Sequence, residues 1–228
     1  MVVTAPKTGS KVERSVLWTN DIALSALPWW RTDERVAVDS QIGTLFCDGS
    51  MEIGGKRCAT AGTTVWQHIV TTLPRLPWSE TRLLRANWEW PRAVAVPGAV
   101  LIATTVDVTT NSWNLLYLIH EAIHQWIGCV VARPSDPSEA AWMEAWVDAA
   151  AWRAVEETHP STGNAFKSLF TRYEDTKEWR THALRVADAR AQLPSMSDLS
   201  TRLTPFVDNL ARGIRAEFQS TEWNTGRP

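Results

Sequence analysis

Two of the five histidines in the chain stand four residues apart in the stretch LIHEAIHQWIG, residues 118–128, with a glutamate beside the first. On an α-helix, residues four apart lie about 40° apart around the axis and one turn along it, so both imidazoles project from one face. That separation suits a single tetrahedral metal ion. We therefore predict that His120 and His124 bind a metal, and that Glu121, about 100° further around the helix, holds a water next to it.

A third ligand for such an ion stands on the next predicted helix. Catalytic zinc sites combine three protein ligands with one open position for water. Glu144 follows His124 with nineteen residues between them, and Asp148 lies one helical turn further on the same face. The Asp148 carboxylate is placed to accept the second ring N–H of a zinc-bound histidine and so to fix its tautomer. Two alanines and a valine share this face, which favours a close approach of the two helices.

Two motifs in this part of the chain resemble those of the gluzincin zinc metallopeptidases. HEAIH followed by MEAWVD resembles the HExxH…ExxxD signature of the thermolysin relatives, and HEAIHQWIG is similar to the HExxHQWFG segment of the aminopeptidase-N family. The resemblance covers residues 113–152 and implies a zincin-like fold, a zinc ion as cofactor, and a peptide or peptide-like substrate. The residues that it implies as zinc ligands are His120, His124 and Glu144, with Glu121 as general base.

Three departures from the aminopeptidase pattern limit the resemblance. The exopeptidase signature GxMEN is not present, and the nearest stretch is ANWEWP at 86–91, where Glu89 is a candidate to bind a substrate amine. The gap to the third ligand is one residue longer, and Ala145 replaces the glycine that follows the glutamate. Endopeptidase and exopeptidase activity therefore both stay open.

Hydrolysis also requires a donor for the oxyanion that forms when water attacks a carbonyl. The related families use a tyrosine or a histidine from the helical half. Tyr173, in FTRYEDTKEW, is the first candidate because its surroundings resemble the YEKG segment of the aminopeptidases. His182 is the alternative, and Tyr117 is disfavoured because it lies one turn before His120 on the same helix. A site without any of these donors also stays open.

Hydrophobic periodicity divides the chain near residue 110. Upstream, β-branched runs at 35–53 and 93–108 predict strands, with one helix at 63–73. The helical segments predicted downstream are 112–129, 137–158, 163–172, 175–192 and 196–219. The arrangement is an α+β fold. We expect a sheet-rich lobe at 1–110 and a helical lobe at 111–228 with the metal site in the cleft between them, or else one compact catalytic domain.

Two local expectations accompany this division. Ser138 is a candidate N-cap for the helix that begins near Pro137. The run AVLIATTV, 99–106, comes just before the metal helix, and in zincin folds an edge strand in this position pairs with an extended peptide substrate. The resemblance implies that role for 99–106, and an interior core strand is the alternative.

Composition excludes some classes of function. The 228 residues include 44% hydrophobic and 21% charged residues, as is ordinary for a folded globular protein. A net charge of −2 provides no basic surface for nucleic acid. No window approaches 18 apolar residues and no signal peptide is apparent, so we expect no membrane association and a cytoplasmic location, with export left open. The sequence does not indicate the oligomeric state.

Cysteine and tryptophan content give two further expectations. The three cysteines, Cys47, Cys58 and Cys129, are odd in number and irregularly spaced, which favours free thiols in a reducing compartment. A Cys47–Cys58 bridge is the alternative for an exported protein. The fourteen tryptophans predict mainly packing, with an aromatic-lined substrate groove as the alternative.

Three functions are consistent with these motifs. The first is a zinc metallopeptidase in which Glu121 takes a proton from a metal-activated water. The second is a zinc amidohydrolase or tailoring enzyme for a peptide-like small metabolite, because the same activated water attacks any suitably placed carbonyl. The third is a non-catalytic zincin-like binding protein or a structural zinc site. The intact Glu121 disfavours this third function, since a structural site has no use for a general base.

Overall fold

The N-terminal half supplies five strands and one helix in the computed structural model, which describes residues 36–40, 43–47, 63–77, 82–86, 93–103, 112–132, 134–172 and 176–220. In chain order these are β1 Val36–Ser40, β2 Gly43–Cys47, α1 Thr63–Thr72, β3 Arg82–Ala86, β4 Ala93–Val96 and β5 Ala99–Ala103. The strands form one mixed sheet in the order β1-β2-β3-β5-β4. The pairs β2–β3 and β3–β5 are parallel, and the two outer pairs are antiparallel.

The hairpin of β4 and β5 forms one edge of this sheet. Val96 pairs with Ala99, and the turn between them is Pro97–Gly98. Gly98 has φ 77°, the positive value that the third position of a type II turn requires and that glycine adopts without strain. Within the described part of the chain β4 pairs with β5 alone, whereas β5 is paired on both sides. For Ala99–Ala103 the expected edge role is therefore wrong and the interior-strand alternative is confirmed, whereas 104–106 lie outside the described residues.

The C-terminal half is mostly helical. Its elements are α2 Ser112–Ile123, β6 Ile127–Gly128, β7 Val131–Ala132, α3 Pro137–Thr158, α4 Pro160–Arg172, α5 Lys177–Ala191 and α6 Met196–Ser220. The helix predicted at 137–158 is confirmed with the same bounds, and the other predicted helices lie at the expected places with shifted ends. The α+β class is thus confirmed. The proposed boundary at residue 110 stays a prediction, because 104–111 lie outside the described residues.

Helix α2 ends at Ile123, earlier than the predicted 129. Beyond it the backbone bonds tighten to a three-residue spacing, since the Gln125 N–H donates to the carbonyl of Ala122 at 3.1 Å. Gly128, with φ 118°, lies in the short strand β6 that follows. Helical periodicity missed this ending because Trp126 and Ile127 are apolar and buried, as residues of a continuing helix would be.

Asp136, not Ser138, caps the N-terminus of α3. Its side chain accepts hydrogen bonds from the backbone N–H groups of Ser138 and Glu139 at 2.8 and 3.0 Å. Pro137 occupies the first helical position, where its missing N–H costs nothing. The expected cap was wrong by two residues because Ser138 already has a helical backbone. The capped start fixes where Glu144 and Asp148 lie along α3.

Helix α3 lies at the centre of the helical part and contacts all five of the other helices described above. Fully buried alanines let neighbouring backbones approach it closely; these are Ala145, Ala149, Ala150, Ala151 and Ala154. One continuous hydrophobic cluster joins this helix to α1, to β5 and to the remaining helices. None of the described helices is long and apolar enough to span a bilayer.

Most of the tryptophans with described side chains are packing residues. Trp66, Trp126 and Trp152 belong to the core cluster, and Trp146 and Trp179 pack against it. Trp126 also donates its indole N–H to the carbonyl of Pro74 at 2.7 Å, which ties the end of α2 to the end of α1. Only Trp142 is exposed among these six described side chains. They bear out packing as the main role of tryptophan in the described part of the chain.

Candidate metal centre

Helices α2 and α3 bring the three predicted ligands together. His120 lies in the last turn of α2, His124 directly follows that helix, and Glu144 lies near the start of α3. The Nε2 atoms of the two histidines are 3.0 Å apart. Glu144 Oε2 is 3.2 Å from His120 Nε2 and 3.3 Å from His124 Nε2. Among the described residues, this is the only group of three or more side chains found with the geometry to hold a metal ion.

The triangle formed by these three atoms fits one tetrahedral ion. With metal–ligand bonds of about 2.0–2.1 Å, two ligand atoms of a tetrahedral zinc site lie about 3.3–3.4 Å apart. The three measured separations are within about 0.4 Å of that range. A single point can therefore lie at bonding distance from both imidazoles and the carboxylate. Three protein atoms on one side of that point leave a fourth position for another ligand.

Hydrogen bonds to the outer nitrogens set the tautomer of both histidines. His124 Nδ1 is 2.8 Å from the carbonyl oxygen of Ile127. A carbonyl only accepts, so His124 carries its hydrogen on Nδ1 and presents a lone pair at Nε2. His120 Nδ1 is 2.7 Å from Asp148 Oδ1, which fixes the same tautomer. The two Nε2 lone pairs then face each other at 3.0 Å, and this arrangement is repulsive unless a cation or a proton lies between them.

Gly128 supports the His124 tautomer by its lack of a side chain. A Cβ at this position would lie 3.0 Å from His124 Nδ1, which is tighter than nine in ten real Cβ contacts. The positive φ of Gly128 would also strain any other residue. The glycine three residues after HEAIHQ therefore leaves room for His124 to reach the Ile127 carbonyl.

The electrostatics show a site built to receive positive charge. Burial by itself lowers the pKa of His120, but the charge and hydrogen bond of Asp148 outweigh it and hold that pKa well above its ordinary value of 6.5. Burial by itself raises the pKa of Glu144, but its contacts with both histidines hold that pKa well below its ordinary range. Likewise the pKa of Asp148 falls to about 2, because its interactions with His120 and His182 outweigh burial. Both carboxylates are therefore ionised at neutral pH.

Glu121 lies beside the three ligand atoms without belonging to them. Its side chain is buried, and burial raises the pKa of its carboxyl group, as does the neighbouring charge of Glu144. The backbone N–H of Ala95 contacts this carboxylate and partly offsets the rise in its pKa, so the edge strand β4 reaches the site. A buried carboxylate with a raised pKa next to a metal centre has the properties of a general base.

Gln125 is a site residue that the sequence motifs did not single out. It is fully buried, and both the oxygen and the nitrogen of its amide bind the β4–β5 turn. Its Oε1 accepts from the Gly98 N–H at 2.9 Å, and its Nε2 donates to the carbonyls of Val96 and Ala99 at 3.0 and 3.1 Å. The residue directly after the second histidine thus fastens the edge hairpin to the metal helix. The signal in the sequence was an amide side chain directly before the apolar residues Trp126 and Ile127.

Of the three candidate oxyanion donors, the structure describes Tyr117 and His182. Tyr173, like Glu89, lies outside the described residues, and its role stays a prediction. The Tyr117 ring lies 6.4 Å from the His120 ring, centroid to centroid. His182 Nε2 is 2.7 Å from Asp148 Oδ2, so His182 stands behind His120, on the side opposite the three ligand atoms.

Cys129 lies close to the site. Burial raises the pKa of its thiol to about 12, and the charge of Glu121 adds to the effect. The thiol is therefore protonated at neutral pH and is not among the three converging ligands. It is a free cysteine, as expected. The alternative bridge stays a prediction, because Cys58 lies outside the described residues.

Comparisons with protein-family models, with curated proteins and with solved structures found no match to this chain. The geometry of the site is therefore the basis on which a function is inferred. What it establishes is a group of two histidines and a glutamate that can hold a metal ion.

Proposed function

We propose that the protein is a zinc-dependent hydrolase that cleaves peptide bonds, with Glu121 as its general base. The observation that carries the proposal is the convergence of His120 Nε2, His124 Nε2 and Glu144 Oε2 at 3.0–3.3 Å from one another. Two neutral imidazoles and one carboxylate are the ligand set of the gluzincin resemblance, and such a set favours zinc over the harder magnesium and calcium ions.

An open coordination position supports a catalytic role for the ion over a structural one. Structural zinc sites have four protein ligands, whereas catalytic sites keep one position for water. In the described part of the chain only three ligands converge, and the Glu144 side chain is 28% exposed, so solvent reaches the site from that side. A bound zinc ion lowers the pKa of a coordinated water and polarises a carbonyl group.

The protein groups around that position supply the remaining steps. Glu121 accepts a proton from the attacking water as the oxygen adds to the carbonyl carbon. It then delivers this proton to the leaving amine nitrogen as the C–N bond breaks, so that one water and one peptide give a carboxylic acid and an amine. Burial and the raised pKa of Glu121 suit both halves of this transfer.

The edge strand favours a peptide over a small amide as the substrate. Among the described strands β4 has a partner on one side only, and the Ala95 N–H lies at Glu121. An extended peptide that pairs with such an edge gains backbone hydrogen bonds independent of its sequence. A mixed sheet with an antiparallel edge strand, followed by the HExxH helix, also supports the zincin-like fold.

Glu121→Gln tests the mechanism. We expect the variant to bind zinc as the unmodified protein does and to lose about 10²–10⁴-fold in the rate of peptide cleavage, because it lacks only the general base. Glu139→Gln is the matched control, since Glu139 is exposed in the first turn of α3. Unchanged activity of Glu121→Gln would refute the mechanism. Activity on small amides but not on unstructured peptides would favour the amidohydrolase.

A further inference from the structure

Asp148 binds two histidines at the same distance, one with each oxygen. Its Oδ1 is 2.7 Å from His120 Nδ1, and its Oδ2 is 2.7 Å from His182 Nε2. The three residues belong to α2, α3 and α5, so the hydrogen bonds link three helices in series. The ionised carboxylate only accepts, and therefore His182 Nε2 carries a hydrogen that it donates to Asp148.

The aromatic core holds His182 in this position. The His182 ring lies 5.6 Å from the Trp179 ring, and Trp179 stacks on Phe170 at 5.6 Å with 7° between the planes. Phe170 in turn stacks on Trp152 at 5.3 Å with 2° between the planes. Both Trp152 and Phe170 belong to the buried core. A side chain packed against these stacked rings is already restricted to few rotamers. It therefore loses little conformational entropy when it donates a hydrogen bond.

Asp148 depends on both of its partners. Its side chain is only 14% exposed, so an oxygen that lost its donor would stay largely shielded from water. Leaving a buried charged acceptor without a partner is costly, and the carboxylate would rotate to find another donor. Such a rotation weakens the hydrogen bond that orients the His120 ring.

We propose that His182 is a positioning residue of the metal centre, which acts through Asp148 to fix the orientation of His120 and thereby strengthens metal binding. The inference rests on the metal site of the proposed function and not on its hydrolytic step. His182 is therefore expected to influence zinc affinity even if the protein cleaves no peptide.

Zinc affinity, measured with Zn²⁺ alone in competition with a chromophoric chelator, tests this role. Loss of a partner outside the ligand shell typically costs 10–100-fold in metal affinity, and we expect about tenfold for His182→Ala. His182→Gln should stay within about threefold of the unmodified protein, because its amide nitrogen occupies the place of Nε2, whereas His182→Asn is too short and should resemble His182→Ala.

His68→Ala is the matched control. His68 Nε2 also lies 2.7 Å from a carboxylate oxygen on α3, that of Glu157, but this pair has no link to the metal ligands. We expect His68→Ala to leave zinc affinity unchanged. In the zinc-loaded protein the His120 Nδ1 proton resonance, seen with ¹⁵N-histidine labelling, should move in His182→Ala and His182→Asn but not in His68→Ala.

Three outcomes would overturn the inference: His182→Ala with unchanged zinc affinity, equal losses in His182→Ala and His68→Ala, or no difference between the Gln and Asn variants at His182. If His182→Ala does not fold, the Gln and Asn pair decides alone. An unmodified protein that binds no zinc would refute the proposed function itself, a result separate from each of these.

Discussion

The helical side and the sheet side of the candidate site contribute different kinds of group. Helices α2 and α3 supply side-chain atoms, which are the two imidazoles and the carboxylate of Glu144. The β4–β5 hairpin supplies backbone, namely the Ala95 N–H at Glu121 and an edge with one unpaired side among the described strands. Metal affinity should therefore depend on the helices, and substrate alignment on the hairpin. Variants on each side should affect one property and spare the other.

The largest expected effect is on metal affinity, in Glu144→Ala. Removal of a ligand should weaken zinc binding by more than about 100-fold, beyond the loss typical of an outer partner. Glu157→Ala, on the same helix, is the contrast. Glu157 accepts hydrogen bonds from His68 and from the Met196 N–H, so its loss should lower the melting temperature and leave zinc affinity unchanged. Chelator competition and thermal unfolding measure the two effects.

Gln125→Met should have the converse effect. The variant leaves the Gly98 N–H and the carbonyls of Val96 and Ala99 without their buried partner, so we expect the free energy of unfolding to fall by about 2–3 kcal/mol. Zinc stoichiometry should stay at one, and the KM for extended peptides should rise. Gln192→Met, at an exposed position, should change stability by less than about 0.5 kcal/mol. If Gln125→Met lost zinc but kept its stability, metal affinity would not depend on the helices alone, and the separate roles of helices and hairpin would be contradicted.

The pH dependence of zinc binding tests whether zinc displaces a proton from His120 on the helical side of the site. The pKa of His120 is raised above 6.5 in the folded metal-free protein, so its proton stabilises the fold below pH 6.5 and that contribution disappears as the pH rises through the raised pKa. Zinc replaces this proton. Zinc affinity should therefore rise by up to about tenfold per pH unit from pH 6 upwards until His120 is deprotonated. Titration calorimetry in buffers of different ionisation enthalpy would count the released proton, and a pH-independent affinity would contradict the arrangement.

The smallest expected effect is at the start of α3. Asp136→Ala removes the side chain that accepts from Ser138 and Glu139, and loss of an N-cap costs about 1 kcal/mol. Ser138→Ala should cost less, because Ser138 is not the cap. Chemical denaturation of both variants measures the difference, and zinc affinity should change in neither. Equal losses in the two variants would contradict the assignment of the cap.

The sequence predicted the helical side more fully than the sheet side, for a physical reason. Helical spacing is local, so HEAIH and the Glu144–Asp148 turn place their side chains on one face wherever the helix lies. The 2.7 Å contact of Asp148 with His120, which joins the two helices, agrees with the partner role predicted for Asp148. The contact of His182 with Asp148 was not predictable, since it depends on how α5 packs on α3.

The sheet side depends on contacts distant in the sequence. β3, with the sequence RLLRA, has arginines at Arg82 and Arg85 and no clear alternation, and it is a strand because β2 and β5 pair with it on either side. Which of β4 and β5 lies at the edge is likewise decided by β3 and not by their own composition. The role of Gln125 in holding the β4–β5 hairpin is recognisable only when the hairpin is seen to lie against α2.

X-ray absorption spectroscopy of the zinc-loaded protein tests the three-ligand zinc site, because it reports the ligand types and the bond lengths around the ion. We predict one zinc per chain with nitrogen and oxygen ligands only, at about 2.0–2.1 Å, two of them imidazole, and one position taken by solvent. A sulfur ligand at about 2.3 Å, four protein ligands, or no bound zinc would contradict it.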